Sequence, residues 1–166
     1  MTNFKPAVNS SDFIIIAELA KEIWTEHYTP IIGIDQVNYM LKKFQSEKAI
    51  ENQVLNSDYK YFIIYTKNSA IGYLSIKKES TALFLSKIYI AKSSRGLGFG
   101  KIAMNFIEKQ AQQLNCKKIY LTVNKYNTNS IKAYQKIGFD KIQELIKDIG
   151  NGYVMDDYKM EKILIN

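Results

Sequence analysis

The residues whose spacing carries the most chemistry are Arg95-Gly96-Leu97-Gly98-Phe99-Gly100-Lys101, placed just after the apolar run Ile88-Tyr89-Ile90. Glycines at alternate positions leave main-chain N–H groups unobstructed. Where such a loop opens a helix, those groups and the positive end of the helix dipole form a nest for phosphate oxygens. Arg95 and Lys101 can add formal charge, so the ligand that suits the loop is a pyrophosphate. Two common phosphate signatures do not fit. A G-x-G-x-x-G fingerprint starting at Gly96 needs glycine at 101, where lysine stands, and it needs an acidic residue after a second strand about 20 residues on. No Gly-Lys-Ser/Thr of the Walker type occurs either. What remains is Arg-x-x-Gly-x-Gly.

Other reactive residues are sparse. Cys116 and His27 are each the single residue of their type, so neither an internal disulfide nor a thiolate-imidazole zinc cluster can form, and no metal is expected. Glu22 and Glu26 stand four apart, and Asp148, Asp156 and Asp157 lie near the end of the chain. Such groups could hold a cation, although charges at these spacings more often make a solvated face. With 12 tyrosines present, the default for any one is a packed ring with a wet hydroxyl.

The elements that must position these residues follow from hydrophobic period. A short strand over residues 3–8 precedes Asn9-Ser10-Ser11-Asp12, whose side chains can cap a helix over residues 12–27 with Ile15, Ile16, Leu19, Ile23 and Trp24 on its apolar stripe. Pro30-Ile31-Ile32-Gly33 then separates that helix from a second carrying Val37, Met40, Leu41 and Phe44. Ala49, Ile50 and Leu55 mark a third. Period-two segments at 61–65, 70–76 and 82–90 read as three strands, the first two a hairpin around Lys67-Asn68-Ser69. The glycine loop opens a helix over 98–114 with Ile102, Met104, Phe106 and Ile107 as its buried candidates. A strand over 118–123, a helix over 129–136 and strands over 139–145 and 153–160 complete the order. An antiparallel meander joined to one strand-helix-strand crossover is an α+β domain, not a doubly wound one.

Composition narrows the class. The 166 residues carry 46% hydrophobic content and no Pro/Gly/Ser-rich linker, so one domain over residues 1–166 is expected. Apolar runs such as 13–17 and 61–65 are far below the roughly 20 residues of a membrane span. The first ten residues hold no apolar stretch of signal-peptide length, so the expected compartment is the cytoplasm. A net charge of +7 is spread along the chain without the basic block of a nucleic-acid tail, which disfavours nucleic acid as a partner. Arg95 is the single arginine.

At Arg95 to Gly100 the chain resembles the GNAT superfamily of acetyl-CoA-dependent N-acetyltransferases, whose signature is Gln/Arg-x-x-Gly-x-Gly/Ala between a strand and a long helix. A second stretch supports the resemblance. Residues 121–139, Leu121-Thr122-Val123-Asn124 through Tyr134 to Gly138-Phe139, are similar to the family's strand-Asn-helix-Tyr-Gly-Phe segment. The resemblance implies a central, mixed, mostly antiparallel twisted sheet with helices on both faces. It implies acetyl-CoA as cofactor, with CoA as product. Ile88, Tyr89 and Ile90 would meet the pantetheine arm much as an added strand would. Arg95, Gly96, Leu97, Gly98, Phe99, Gly100 and Lys101 would take the diphosphate, Asn127 would hydrogen-bond the arm, and Tyr134 would stand near the thioester sulfur.

The chemistry so implied is transfer of an acetyl group to a primary amine by direct attack. An alkyl amine of pKa about 10.4 is protonated in all but roughly one molecule in a thousand at pH 7, so a carboxylate must help remove that proton. Glu26, Asp148, Asp156 and Asp157 are the candidates. Tyr134 is the candidate donor to the departing thiolate. Residues 24–28, with Glu26, His27 and Tyr28, and residues 148–160, with Asp156 and Asp157, look like the PaiA-type branch, similar to spermidine/spermine acetyltransferases. That makes a polyamine or another small amine the leading acceptor and these five residues the acceptor contacts. Protein or peptide amines are the alternative acceptor. A non-catalytic module that senses acetyl-CoA or binds nucleic acid is the alternative of another class, and a homodimer is left open.

Overall fold

The computed structural model describes residues 1–165, in the order β1 (Thr2–Pro6), α1 (Ser10–Ile32), α2 (Ile34–Phe44), α3 (Glu47–Asn56), β2 (Lys60–Thr66), β3 (Ser69–Glu79), β4 (Ala82–Ile90), a 3-10 turn (Lys92–Ser94), α4 (Phe99–Gln113), β5 (Lys118–Asn124), α5 (Thr128–Lys136), β6 (Asp140–Gly150) and β7 (Tyr153–Ile163). Seven strands form one sheet in the order β1-β2-β3-β4-β5-β7-β6. Every neighbouring pair is antiparallel except β4 with β5. The fold is therefore the expected α+β one, with the closing hairpin inserted so that its second strand, β7, lies against β5.

Alternation along the strands buries both faces. Phe62, Ile64, Leu74 and Ile76 join Ala103, Met104, Ile107 and Ala111 of α4 on one side. Tyr61, Ile63 and Tyr73 join Phe13, Ile16, Ala20, Ile23 and Trp24 of α1 on the other. Ile102, expected in the α4 stripe, is instead 42% exposed. Alanines 103 and 111 occupy the inner positions, and that lets the helix sit close to the sheet.

Helix α1 starts where its capping residues stand. Asn9 accepts the Asp12 N–H at 3.1 Å, and the buried Asp12 carboxylate accepts from Val8 N–H at 2.9 Å and Lys5 Nζ at 2.6 Å, reciprocal bonds that satisfy the open donors of a helix start. The helix runs past its expected end at His27, through Pro30 to Ile32. A proline in the last turn forfeits one bond to the Glu26 carbonyl. The turn still closes, because Gly33, at φ +83°, donates its N–H to Thr29 O at 3.0 Å.

The feature that shapes the site is the pairing of β4 with β5. These strands share three register pairs, Ala82 with Lys118, Leu83 with Ile119 and Phe84 with Tyr120. Beyond them β4 continues along β3 to Ile90 and β5 continues along β7 to Asn124. A bulge at Ser86, where Ser75 pairs with Lys87 and Ile76 with Leu85, bends β4 at the point of departure. The Phe84 and Tyr120 rings stack at 4.8 Å where the wedge begins.

Candidate active site

The wedge between β4 and β5 opens into a cavity of about 540 Å³. On the α4 and α5 side it is walled by Ile88, Ile90, Val123, Asn127, Ser130 and Tyr134; on the α1 side by Trp24, His27, Tyr28, Lys87, Tyr89 and Asp157. Beyond Phe84 the β5-facing edge of β4 has no partner strand among the described residues, and such an edge suits an extended arm that adds to β4 as a strand would.

At the outer end stands the glycine loop. Gly96 and Gly98 hold φ of +77° and +87°, a region that costs a residue with a Cβ roughly 1–2 kcal/mol. Gly98 is the N-cap of α4, without a side-chain cap, and the first intrahelical bond runs from Ile102 N–H to Gly98 O. The amides of Phe99, Gly100 and Lys101 precede that bond and point outward from the helix start. A Cβ built on Gly96, Gly98 or Gly100 would meet nothing within 4 Å, so there is open space beside the glycines, and with the free amides of the helix start the loop fits a diphosphate. Arg95 is differently engaged. Its guanidinium donates to Glu26 Oε1 at 3.1 Å and Oε2 at 2.8 Å, and its Nε donates to Ile90 O at 2.9 Å. It ties α1 to the end of β4 at the cavity wall, and Lys101 stands exposed in the first turn of α4.

The same tie settles what Glu26 can contribute. Its carboxyl is held below the usual range by the Arg95 hydrogen bond, and its charge is spent. Of the five residues expected to contact an acceptor, His27, Tyr28 and Asp157 line the cavity; Glu26 and Asp156 do not. Asp156 is paired with Lys125 at 2.8 Å. Asp148, a fourth candidate base, turns back to accept Gly150 N–H at 2.8 Å.

Asp157 differs from the other three. It is 6% exposed. Burial, with repulsion from Asp156, pushes its carboxyl up to about 6, while Lys125 and Lys147 pull the other way. A desolvated carboxylate of that affinity is ionised at neutral pH and is a far better proton acceptor than a surface aspartate. His27 is kept neutral by burial and by the Arg95 charge. Tyr28 and Tyr89 share a hydroxyl hydrogen bond of 3.0 Å beneath the Trp24 ring. Burial drives both phenols, and Tyr134, above the ordinary range, so all three remain hydrogen-bond donors at physiological pH.

The two lysines of the cavity lining have no counterpart among the expected site residues. Lys87 lies half-buried on β4, and Lys147 stands on β6 opposite Met155. A lysine inside the apolar run Leu83 to Ile90 is a signal that could have been read. Lys147, one of many basic residues on an exposed hairpin, offered none.

A mixed sheet opened between two parallel strands above an uncapped, glycine-lined helix start defines a class of proteins that take a phosphorylated, arm-like ligand. The chain belongs to the GNAT acetyltransferase family: the sequence model of the acetyltransferase (GNAT) family matches residues 16–139. That family draws its acyl group from acetyl-CoA. A probable spermine N(1)-acetyltransferase of Bacillus subtilis subsp. natto (strain BEST195) is 30% identical over 84 residues, 50% of this chain and 48% of that protein. The spermine/spermidine N(1)-acetyltransferase of Bacillus subtilis (strain 168) is 29% identical over the same extent, so the aligned stretch is about half the length of these relatives. Among solved structures, the PaiA N-acetyltransferase of Thermoplasma acidophilum in complex with coenzyme A has a TM-score of 0.82 at 19% identity, covering 99% of both chains.

Proposed function

We propose that this chain is an N-acetyltransferase that carries an acetyl group from acetyl-CoA to the primary amine of a small molecule by direct attack. The observation that carries the reading is the wedge between β4 and β5, whose wall holds Asp157, Tyr134 and Arg95, the last next in sequence to the glycine loop that opens α4. Acetyl-CoA supplies an acyl group already activated as a thioester. Residues 96–101 hold its phosphates, Ile88 and Ile90 align the arm, and Asn127, 5% exposed at the N-cap of α5 and on the cavity wall, hydrogen-bonds it.

Asp157 takes the proton from the incoming ammonium and leaves a neutral amine to attack the carbonyl carbon. The zwitterionic adduct then collapses: the C–S bond breaks, the proton still on nitrogen passes to the departing thiolate, and Tyr134 donates a hydrogen bond to the sulfur. Its raised affinity for its proton argues for a hydrogen bond rather than full transfer, because a thiolate of pKa about 8.5 cannot take a proton from so weak an acid at equilibrium. The Cys116 thiol is buried against the α4 side, and burial raises its proton affinity, which speaks against a covalent acetyl-cysteine route.

A polyamine as acceptor is supported by the activities named for the two Bacillus subtilis relatives. The test is release of free CoA thiol from acetyl-CoA with spermidine, simple diamines, amino acids and peptides. Turnover with any small amine supports the reading, and no turnover together with no binding of coenzyme A overturns it.

A further inference from the structure

The acceptor side of the cavity carries an unusual balance of charge. Along β7, Tyr153 and Met155 pack toward α1 and α2, and Asp157 continues that face. Lys147 pairs with Met155 across the hairpin and so shares the face. Lys87 precedes Tyr89 on β4, separated from it by Ile88, which packs on the opposite side. Three strands thus bring Lys87, Lys147 and Asp157 into one cavity. Glu26, the acidic neighbour on α1, is committed to Arg95, and Asp156 to Lys125. Among the described residues neither Lys87 nor Lys147 forms an ion pair; Lys87 donates to Ser86 Oγ at 2.9 Å.

From this geometry we infer that the acceptor is an amine that also bears a carboxylate, with its anionic end held between Lys87 and Lys147 and its amine directed to Asp157. The inference rests on the acetyltransferase reading and specifies its substrate class. Lys87, half-buried, and Lys147, exposed at the cavity rim, are two like charges on one cavity, and they repel each other and favour a shared counter-ion. Burial and the Lys147 charge accordingly push Lys87 down to about 8, the response of a cation lacking its anion. A polyamine would place several further positive charges against these lysines, with Asp157 as the single lining carboxylate among the described residues. An amino acid neutralises both signs at once: carboxylate on lysines, ammonium on aspartate. Charge-assisted bonds to a carboxylate are the strong kind.

The experiment compares kcat/KM for matched acceptors, 4-aminobutanoate with butylamine and 1,4-diaminobutane, α-amino acids with the corresponding amines lacking the carboxylate, phosphoethanolamine, and spermidine. At least one amino carboxylate should exceed its partner lacking the anion by about tenfold or more, the factor given by about 1.4 kcal/mol. The ratio should fall toward one in Lys87→Met and in Lys147→Met, while both variants keep the thermal response to coenzyme A that shows an intact fold. A panel in which no amino carboxylate outperforms its partner overturns the inference. If spermidine or butylamine is then acetylated, the acetyltransferase reading stands without it. Preference for phosphoethanolamine over every carboxylate also overturns the stated class. An advantage that survives both lysine variants removes the two lysines as its cause.

Discussion

Asp157 is where structure and chemistry pull against each other. Its folded carboxyl titrates near 6, above the ordinary 3.8, so the fold favours the protonated form. The consequence for stability has a definite sign. Stability is greatest below the unfolded value and is lost as pH rises through about 6, by roughly 3 kcal/mol at most for a shift of about two units. Catalysis runs the other way, since only the carboxylate accepts a proton. We expect kcat/KM to climb with pH through about 6. We expect Asp157→Asn to lower kcat at least about a hundredfold, yet to melt higher than the parent at pH 8, with the difference vanishing below about pH 4. A variant that keeps its activity, or melts lower at pH 8, would contradict the assignment. Tyr134 carries a different expectation. Its ring packs edge-on against Phe139 at 5.8 Å, a contact that phenylalanine would keep, so Tyr134→Phe removes the hydroxyl alone. Losing a hydrogen bond to a developing thiolate should cost about tenfold to a hundredfold in kcat, with acetyl-CoA binding nearly unchanged, and pre-steady-state thiol release would separate the two effects.

At the scale of elements, what could be read from the chain was what local period and capping encode. The Asn9 cap, the strands over 61–65 and 82–90 and the helix after the glycine loop all stand close to where their residues place them, because each buries its own repeating stripe. Part of what escaped depends on partners distant in sequence. Arg95 meets Glu26 across 69 positions. The departure of β4 from β5 after three pairs is a property of neither strand alone. The continuation of α1 through Pro30 escaped for a local reason, the bond from Gly33 N–H to Thr29 O that closes the last turn. Ile102 fails as a core residue because the inward stripe of α4 is Ala103, Met104, Ile107 and Ala111, which leaves Ile102 on the outer side. The glycine loop belongs to the legible part and carries its own test. Gly98 needs its left-handed conformation, and a Cβ there meets nothing, so Gly98→Glu should fold at a cost of roughly 1–2 kcal/mol. Its carboxylate would then compete with phosphate for the amides of α4. The KM for acetyl-CoA should rise at least about tenfold, with kcat at saturation retained, and unchanged kinetics would separate the loop from the coenzyme.

For the whole molecule, binding and stability are linked through the wedge. Each side of the trough belongs to a different part of the sheet: β4 to the β1-β2-β3-β4 meander, and β5 to the group it forms with β7 and β6. The two groups are stitched by three β4 to β5 pairs and by the helices that pack across them. A ligand lying between them bridges both halves. At a hundred times its dissociation constant it adds about 2.7 kcal/mol to unfolding. For a chain of this length that raises the melting temperature by about 5–10 °C, at roughly 2–4 °C per kcal/mol. How that gain divides between the ends of the ligand is the informative part. If the helix-start amides hold the phosphates, much of the shift belongs to the diphosphate, and acetyl-pantetheine, which has the arm and thioester but no phosphate, should move the transition far less than acetyl-CoA at equal concentration. Main-chain amides cannot be titrated away, so this contrast should persist from pH 6 to 8 even as the Asp157 carboxyl changes state. A phosphate-free arm that shifts the melting temperature as far as the complete coenzyme would remove the glycine loop from the binding site, whatever the turnover assays show.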